Sequence, residues 1–446
     1  MPASPARRAA FEILLRLERD ESYASELLHS QRAAVLSPAD HGLATEIVMG
    51  VLRWRSVIDD QIDAASSQKP SRLDVEVLVA LRLGVYQLLF LSRVPARAAI
   101  FESVELAKFA KKRSAAAFVN AVLRKVAKVD RQNFQGEIEQ STELRELARR
   151  SAHQEWLVSK WVQSYGFEAA RQICIYNQTV PSTAIHVGDR DVESEIAGEK
   201  IRIAPGQLVS SARRILDGDI TATRTYRERR LSIQDEGSQL IALLAGNGER
   251  ILDCCAAPGG KTSLMAERNP QATVVASELH AHRARLLRRL VWQPNVRVIV
   301  ADARQLPLQC GFDRVLADVP CSGTGTLARN PEIKWRLRAE DLNDLQARQI
   351  AILRSALAQL RPGGRLVYST CSLEREENEA VVEAALSENS EFAIVECRGE
   401  LERLQKSSDL VWQDFDSLLS GPYVRTVPGV HPCDGFFAAI LERRKI

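Results

Sequence analysis

The sequence predicts a multidomain chain: an all-α bundle, a small α+β linking subdomain and a C-terminal α/β doubly wound sheet. Three observations predict it. Apolar residues recur at helical spacing through the first part of the chain, short mixed segments replace them after about residue 131, and from Arg250 strand-like and helix-like segments alternate. The expected boundaries are 1–130, 131–235 and 236–446.

Composition sets the outer limits. A chain of 446 residues, 45% hydrophobic and 26% charged, is long enough for two or three domains with sizeable cores. The net charge is only +3, so any basic surface is local. The eight cysteines (174, 254, 255, 310, 321, 371, 397 and 433) form no Cys-x-x-Cys pair and no zinc-type spacing, so no metal is expected. A chain of this length does not need disulfides, and the cysteines read as reduced thiols of a cytoplasmic protein. The opening Met1-Pro-Ala-Ser-Pro-Ala-Arg-Arg leads into an amphipathic segment rather than an apolar signal core. The most apolar stretch, Val77 to Leu91, is too short to span a bilayer and contains Arg82. It reads as a buried helix, and no membrane partner is expected.

The helical front end runs from Pro5 to about Lys128. Phe11, Leu14, Leu15 and Leu17 recur at helix spacing, then Ile47, Val51 and Trp54, then Leu78, Leu81, Val85 and Leu88, with Pro38, Pro70 and Pro95 between the segments. Residues 108–128 carry Lys108, Lys111, Lys112, Arg113, Arg124, Lys125 and Lys128 without an acid among them. Such a face suits phosphates, and a solvated charged face is the plainer alternative. Residues 130–142 are polar and read as a linker. Trp156, Leu157, Trp161 and Val162 then mark a helix. Short segments follow to Ile233, with Arg224, Arg227, Arg229 and Arg230 around Tyr226. Arginines beside an aromatic suit RNA, which offers phosphates and unstacked bases; an exposed loop is the alternative.

Beyond Arg250 the expected strands are Arg250–Cys254, Thr273–Ser277, Val296–Val300, Arg314–Ala317, Arg365–Ser369, Phe392–Val395 and Phe436–Leu441. Helical patterns at 261–268, 281–291, 341–360 and 374–387 separate most of them. The first strand runs into Asp253-Cys-Cys-Ala-Ala-Pro-Gly-Gly-Lys-Thr, which opens a helix. Gly259 and Gly260 let backbone approach a ligand closely, and a helix start offers free amides. A Walker A loop needs glycine where Cys255 stands, and a GxGxxG dinucleotide fingerprint is absent. The remaining reading is an S-adenosylmethionine loop. Glu278, ending the next strand, is placed to accept from ribose hydroxyls, and Asp302, after the third, from an adenine amine.

Two cysteines stand at strand ends. Cys321 lies in Asp318-Val-Pro-Cys-Ser-Gly-Thr-Gly and Cys371 in Tyr368-Ser-Thr-Cys-Ser. The carboxyl edge of an open parallel sheet is where ligands collect. A free thiol has a pKa near about 8.5, lowered by helix N-termini and cations. Cys371 precedes a helix expected near Leu373–Glu374, and Cys321 precedes a glycine-rich turn. Cys174, Cys310, Cys397 and Cys433 read as buried and inert, and Cys254 and Cys255 as packing at the cofactor loop. A thiol and a methyl sulfonium are needed together at C5 of a pyrimidine. Thiolate addition at C6 makes C5 nucleophilic, and loss of the C5 proton with thiolate elimination restores the ring. Asp318 is placed to hydrogen-bond N3 and the exocyclic amine of cytosine and so favour addition.

Asp253-Cys-Cys-Ala-Ala-Pro-Gly-Gly-Lys-Thr, Asp318-Val-Pro-Cys-Ser-Gly-Thr-Gly, Arg329-Asn-Pro-Glu-Ile-Lys-Trp and Ser369-Thr-Cys-Ser-Leu-Glu-Arg-Glu-Glu-Asn-Glu resemble the RNA cytosine-5 methyltransferases. Phe118-Val-Asn-Ala-Val-Leu-Arg resembles a NusB-type RNA-binding domain. Trp156-Leu-Val, Ser232-Ile-Gln-Asp-Glu-Gly-Ser-Gln and Asp434-Gly-Phe-Phe fit the same family. The combination, over nearly the whole chain, is similar to the bacterial 16S ribosomal RNA cytosine-5 methyltransferases of the RsmB/Sun family. The resemblance implies a NusB-like bundle, a linking subdomain, and a Rossmann-like class I methyltransferase sheet. It implies Cys371 as nucleophile and Cys321 as the thiol that assists release; spacing alone does not rank them. It implies cofactor contacts at Cys255, Ala256, Ala257, Pro258, Gly259, Gly260, Lys261, Glu278, Asp302 and Asp318. Cys254 stands where leucine is common, Val319 where alanine is common, and Glu278 where many relatives have aspartate. The expected partner is 16S ribosomal RNA, naked or in a partly assembled small subunit, bound by a monomer. The alternatives are the same chemistry on transfer RNA, and an RNA-binding assembly or antitermination factor with a vestigial site.

Overall fold

The computed structural model describes residues 3–20, 22–30, 35–129, 133–188, 190–387 and 389–445, with only the backbone of Arg190. The chain divides into two compact units: Met1–Val180 with Leu327–Arg336, and Pro181–Thr326 with Leu337–Ile446. This division departs from the expected three domains. The helical unit continues past residue 130 to Val180, and the small sheet clusters with the large one instead of forming a separate linker.

The first unit is helical. Its segments start where proline fixes φ for a first turn: Pro5 opens Pro5–Leu17, Pro38 opens Pro38–Arg53 and Pro95 precedes Ala96–Phe109. The Ser37 hydroxyl caps the second of these by accepting from Asp40 N at 3.1 Å. The apolar stretch forms the helix Val75–Leu89, buried continuously from Val79 to Leu89. Its Arg82 is buried, held by both oxygens of Asp59 at 2.7 Å and by Glu18 at 2.8 Å. Among the described residues no helix is long and apolar enough to cross a membrane.

One expectation for this unit needs correction. Residues 130–132 lie outside the described residues, but the rest of the expected linker folds: Phe134–Glu139 is a helix, with Phe134 stacked on Phe90 at 4.6 Å. Buried Phe134 and Ile138 carried the only apolar signal there, too short to stand out from the polar run. The decapeptide Leu327–Arg336 belongs to this unit too and packs among its helices. Trp335 Nε1 donates to Leu52 O at 2.7 Å, and the buried Lys334 ammonium to Arg53 O at 2.8 Å.

The second unit holds two sheets. The small one has strands β1 (Ala184–Val187), β2 (Arg202–Pro205), β3 (Ala212–Asp217) and β4 (Leu231–Ile233) in the antiparallel order β2-β3-β1-β4. Val192 and Ile196 of the helix Arg190–Gly198 close its core on Ile185.

The large sheet begins with β5 (Arg250–Asp253), β6 (Thr273–Glu278), β7 (Val296–Val300), β8 (Phe312–Asp318) and β9 (Leu360–Thr370). It continues with β10 (Phe392–Val395), β11 (Leu419–Ser420), β12 (Tyr423–Thr426) and β13 (Phe436–Arg443). The order is β11-β12-β13-β9-β8-β5-β6-β7, with β10 on β13. Strands β5 to β9 pair in parallel, and β10 to β13 add antiparallel ladders. β5 lies between β6 and β8, so the strand order reverses there, which is where open α/β sheets bind ligands. Buried clusters cover both faces, which is why Val315-Leu-Ala in the middle of β8 is apolar on both sides.

Candidate active site

The carboxyl edge gathers the acids and thiols. Asp253 ends β5, Glu278 ends β6 and Asp318 ends β8; Asp302 follows β7 by two residues, and Cys371 follows β9 directly. Between β5 and the helix Gly260–Arg268 the chain makes a tight turn. Gly259 has φ +121°, and a Cβ there would lie 2.5 Å from Val291 and 2.7 Å from Leu287. Only glycine fits both the dihedral and the space.

Lys261 points its ammonium at Asp318, with Nζ–Oδ2 2.8 Å. Ser369 donates to the other oxygen of Asp318 at 2.7 Å. Burial pulls the Lys261 ammonium down, but the Asp318 carboxylate and the Cys371 sulfur outweigh it and hold it above the ordinary lysine value. The ammonium also lies over the Phe436 ring, 5.2 Å from its centroid.

The Sγ atoms of Cys321 and Cys371 are 3.3 Å apart, in contact but far from the roughly 2 Å of a disulfide. The Cys321 thiol is pushed well above the usual cysteine range, first by its hydrogen bond to Cys371 and then by burial. Burial raises Cys254 and Cys255 as well, with neighbouring carboxylates adding to it. These three stay thiols at neutral pH.

Glu377, absent from the sequence-based candidates, holds the two thiol turns together. Its Oε1 accepts from Ser322 N at 2.8 Å and Gln349 Nε2 at 2.9 Å; Oε2 accepts from the hydroxyls of Ser372, at 2.5 Å, and Ser322. Thr370 Oγ1 bonds Asn378 Oδ1 at 2.6 Å, and Asn378 Nδ2 donates to Ser372 O at 2.9 Å. The chain between Cys371 and Glu379 is therefore a tied loop with a short 3-10 turn at Arg375–Glu377. The helix expected near Leu373–Glu374 starts only at Glu379, because Glu377 and Asn378 are turned back to hold the loop. A helix N-terminus does not act on Cys371; the neighbouring cation is Lys261.

Asp253 also escaped sequence reading. It is fully buried, accepts from Thr262 Oγ1 at 2.6 Å, and is pushed up to about 6, first by burial. A strand-end acid between Leu252 and Cys254 carries no signal that distinguishes it from Glu278.

Glu278 is buried, accepts from His280 N at 2.9 Å, and has Arg283 3.9 Å away, so its carboxylate retains acceptor capacity. Asp302 caps the turn at Ala303–Gln305 and is gripped by Arg304, whose hydrogen bonds lower its pKa. Cys255 N reaches Asp253 Oδ1 at 3.4 Å, Ala256 N donates to Ser277 O, and Ala257 O accepts from Arg283; Pro258 and Gly260 complete the turn. Cys310, expected buried, is exposed, its Sγ 3.0 Å from Leu360 O.

The expected RNA contacts fall into both compact units and are partly engaged. Lys108 pairs with Glu105 at 2.7 Å and Lys112 with Asp74 at 2.9 Å, while Lys125 donates to Ala65 O at 3.0 Å. Arg224 pairs with Glu228 and Arg230 with Glu195, both at 2.6 Å, and Arg227 donates to backbone carbonyls. Lys111, Arg113, Arg124, Lys128 and Arg229 have no ion-pair partner among the described residues. Two of these four acids, Asp74 and Glu195, come from distant segments, so a basic run in sequence overstated the free charge.

The 16S rRNA methyltransferase RsmB/F family pattern matches residues 240–442, and the NusB family pattern matches residues 4–128. The Bacillus subtilis protein named probable ribosomal RNA small subunit methyltransferase B is 35% identical over 407 residues, covering 88% of this chain and 90% of that one. The chain belongs to the RsmB family of methyltransferases. A Vibrio cholerae member, named ribosomal RNA small subunit methyltransferase B, is 33% identical over 92% of this chain and 91% of its own length. The crystal structure of PH0851 shares the fold, with a TM-score of 0.79 at 23% identity, covering 99% of this chain and all of that one. A Pyrococcus horikoshii methyltransferase homologue aligns with 69% of this chain at TM-score 0.55 and 26% identity. The RsmB assignment accounts for the domain pairing: a NusB-like bundle ahead of a methyltransferase sheet.

Proposed function

We propose that this chain transfers a methyl group from S-adenosylmethionine to C5 of a cytosine in 16S ribosomal RNA, through a covalent adduct between Cys371 and C6. The observation that carries this reading is the contact of two thiols beside the Lys261–Asp318 ion pair at the sheet edge.

The edge fits the methyl donor. The Gly259 turn leaves no room for a side chain, and buried Glu278 keeps acceptor capacity for ribose hydroxyls. Backbone of Cys255 to Gly260, Lys261 and the acids Glu278, Asp302 and Asp318 would hold it. Bound there, S-adenosylmethionine supplies an electrophilic methyl carbon.

The chain's own groups perform the rest. Burial and its contact with Cys371 keep Cys321 a thiol, and Cys371 Sγ stands 3.3 Å from it on the side of the Lys261 ammonium, which makes Cys371 the sulfur we assign as nucleophile. Cys371 Sγ adds to C6, the negative charge that develops toward N3 is met by the Lys261 ammonium, and Asp318 accepts from the C4 amine. C5, made nucleophilic by the addition, takes the methyl carbon; its proton then passes to water, the C–H electron pair re-forms the C5–C6 double bond, and Cys371 leaves C6 as thiolate. Cys321, touching the departing sulfur, supplies the second thiol function at that step. The target cytosine must leave its stack to reach this edge. Intact thiols and a formed ion pair argue against a vestigial site.

The test is bisulfite sequencing of 16S RNA from cells with and without the gene, paired with methylation of that RNA in vitro. A single cytosine protected only when the protein is present supports the reading. Protection confined to transfer RNA, or to neither, contradicts it.

A further inference from the structure

A cavity of about 590 Å3 lies between the small sheet and the helix Gly260–Arg268, within the second unit. Pocket volumes of this size accept a small planar ligand. Pro258, Gly259 and Gly260 form one wall, so it adjoins the cofactor loop; Glu278, Asp302, Asp318 and the two thiols do not line it.

Its lining is unlike a packing defect. His186 and Gln293 are 5% and 9% exposed, yet His186 Nδ1, Gln293 Oε1 and Ser232 Oγ have no hydrogen-bond partner. Buried polar atoms are normally paired, and these three belong to residues that line one space. The tautomer of His186 follows from chemistry. Its Nε2 lies 3.0 Å from the Glu267 carboxylate, so a proton on Nε2 satisfies that contact and leaves Nδ1 to act as an acceptor. The site therefore suits a ligand that brings N–H donors.

Two aromatics and a cation identify the ligand class. Trp292 lines the cavity with 62% of its surface exposed, and Tyr226 lines it from the arginine-rich turn. Arg229 stands at the same wall at φ 63° with no ion-pair partner among the described residues. Flat aromatic faces, hydrogen-bond acceptors and an unneutralised guanidinium match an unstacked base with its phosphate.

We propose that this cavity binds one unstacked nucleoside of the RNA substrate, through an amino-bearing base edge, outside the thiol site. The proposal rests on the reading of the chain as an RNA methyltransferase. It adds a second base-reading position on the other side of the cofactor loop.

The experiment uses the full chain, Trp292→Ala, and a 16S RNA fragment carrying the methylated cytosine, in versions with one abasic position each. Affinities are measured at one fixed salt concentration. Trp292 is exposed, so the variant keeps its fold. Loss of the stacking face weakens binding of the intact fragment about tenfold. One abasic position costs the native chain a similar factor and costs Trp292→Ala nothing, a coupling that identifies the bound base. S-adenosylmethionine affinity, read by calorimetry, stays unchanged. Equal affinities of the two proteins for every fragment would overturn the proposal, and so would loss of S-adenosylmethionine binding, which assigns the cavity to the cofactor. A native chain that methylates no ribosomal cytosine defeats the underlying reading, a result visible before any variant is made.

Discussion

Cys321 and Cys371 touch, Sγ to Sγ at 3.3 Å, although fifty residues separate them. The contact is built by the polar loops around them rather than by the sheet alone. Gly325 N donates to Cys371 O at 2.9 Å, and Leu373 N to Thr324 Oγ1 at 2.9 Å. A Cβ on Gly325 would lie 2.2 Å from Gly435 O, so the same turn is pinned against Asp434-Gly-Phe-Phe. Proximity gives the protonated thiol direct access to the sulfur that leaves the ring.

Glu377 is the positioning residue for this pair. Glu377→Gln loses the charge that four donors share and replaces one acceptor oxygen with a donor. The turnover number should fall about a hundredfold, as for angstrom-scale misplacement of reacting groups. The variant should be less stable by about 2 kcal/mol. S-adenosylmethionine affinity should not change. Equal loss of cofactor binding would instead mean that the edge has collapsed.

Lys261→Met leaves the Asp318 carboxylate without its cation. The predicted loss is about a hundred- to a thousandfold in turnover, the range for removing one preorganised donor from a charge-developing site. Single-turnover methylation with saturating RNA reads it. A variant with native turnover removes Lys261 from the chemistry.

Asp253 gives a pH signature in stability. Its folded value of about 6 lies above the ordinary aspartate value of 3.8, so the folded state holds the proton more tightly. Its contribution is fully present below about 3.8 and is lost as pH rises to about 6. Two units correspond to about 3 kcal/mol. Asp253→Asn should therefore raise the melting temperature more at pH 7.5 than at pH 4.5. An equal change at both values would contradict the sign.

Among the basic residues, pairing sets the expected order. Arg124→Glu removes a cation with no ion-pair partner among the described residues and should lower the salt slope of RNA binding by about one. Lys112→Glu disrupts a pair with Asp74 and should change the slope less. Titration of RNA affinity against salt separates them, and the reverse order would place the phosphate contacts elsewhere.

Much of the site could be read in the sequence because strand ends announce themselves. Apolar runs stop at Glu278, Asp318 and Thr370, and the polar residue at each stop lies on the carboxyl edge. The helix expected after Cys371 failed for a physical reason: Glu377 and Asn378 look like helix residues but bond backward to Ser322 and Ser372. The place of the 327–336 segment carries no local signal because its partners, Leu52 and Arg53, lie nearly three hundred residues away. Local patterns mark where a strand ends, but not what a buried carboxylate or lysine will tie down.

The division of labour between the thiols is tested most directly by a denaturing gel of Cys321→Ala incubated with 16S RNA and S-adenosylmethionine. The account predicts a slowly migrating protein–RNA species that is absent when Cys371 is also alanine, with no methyl transfer by Cys371→Ala alone. Full turnover by Cys371→Ala, or a covalent species that persists in the double variant, would contradict it.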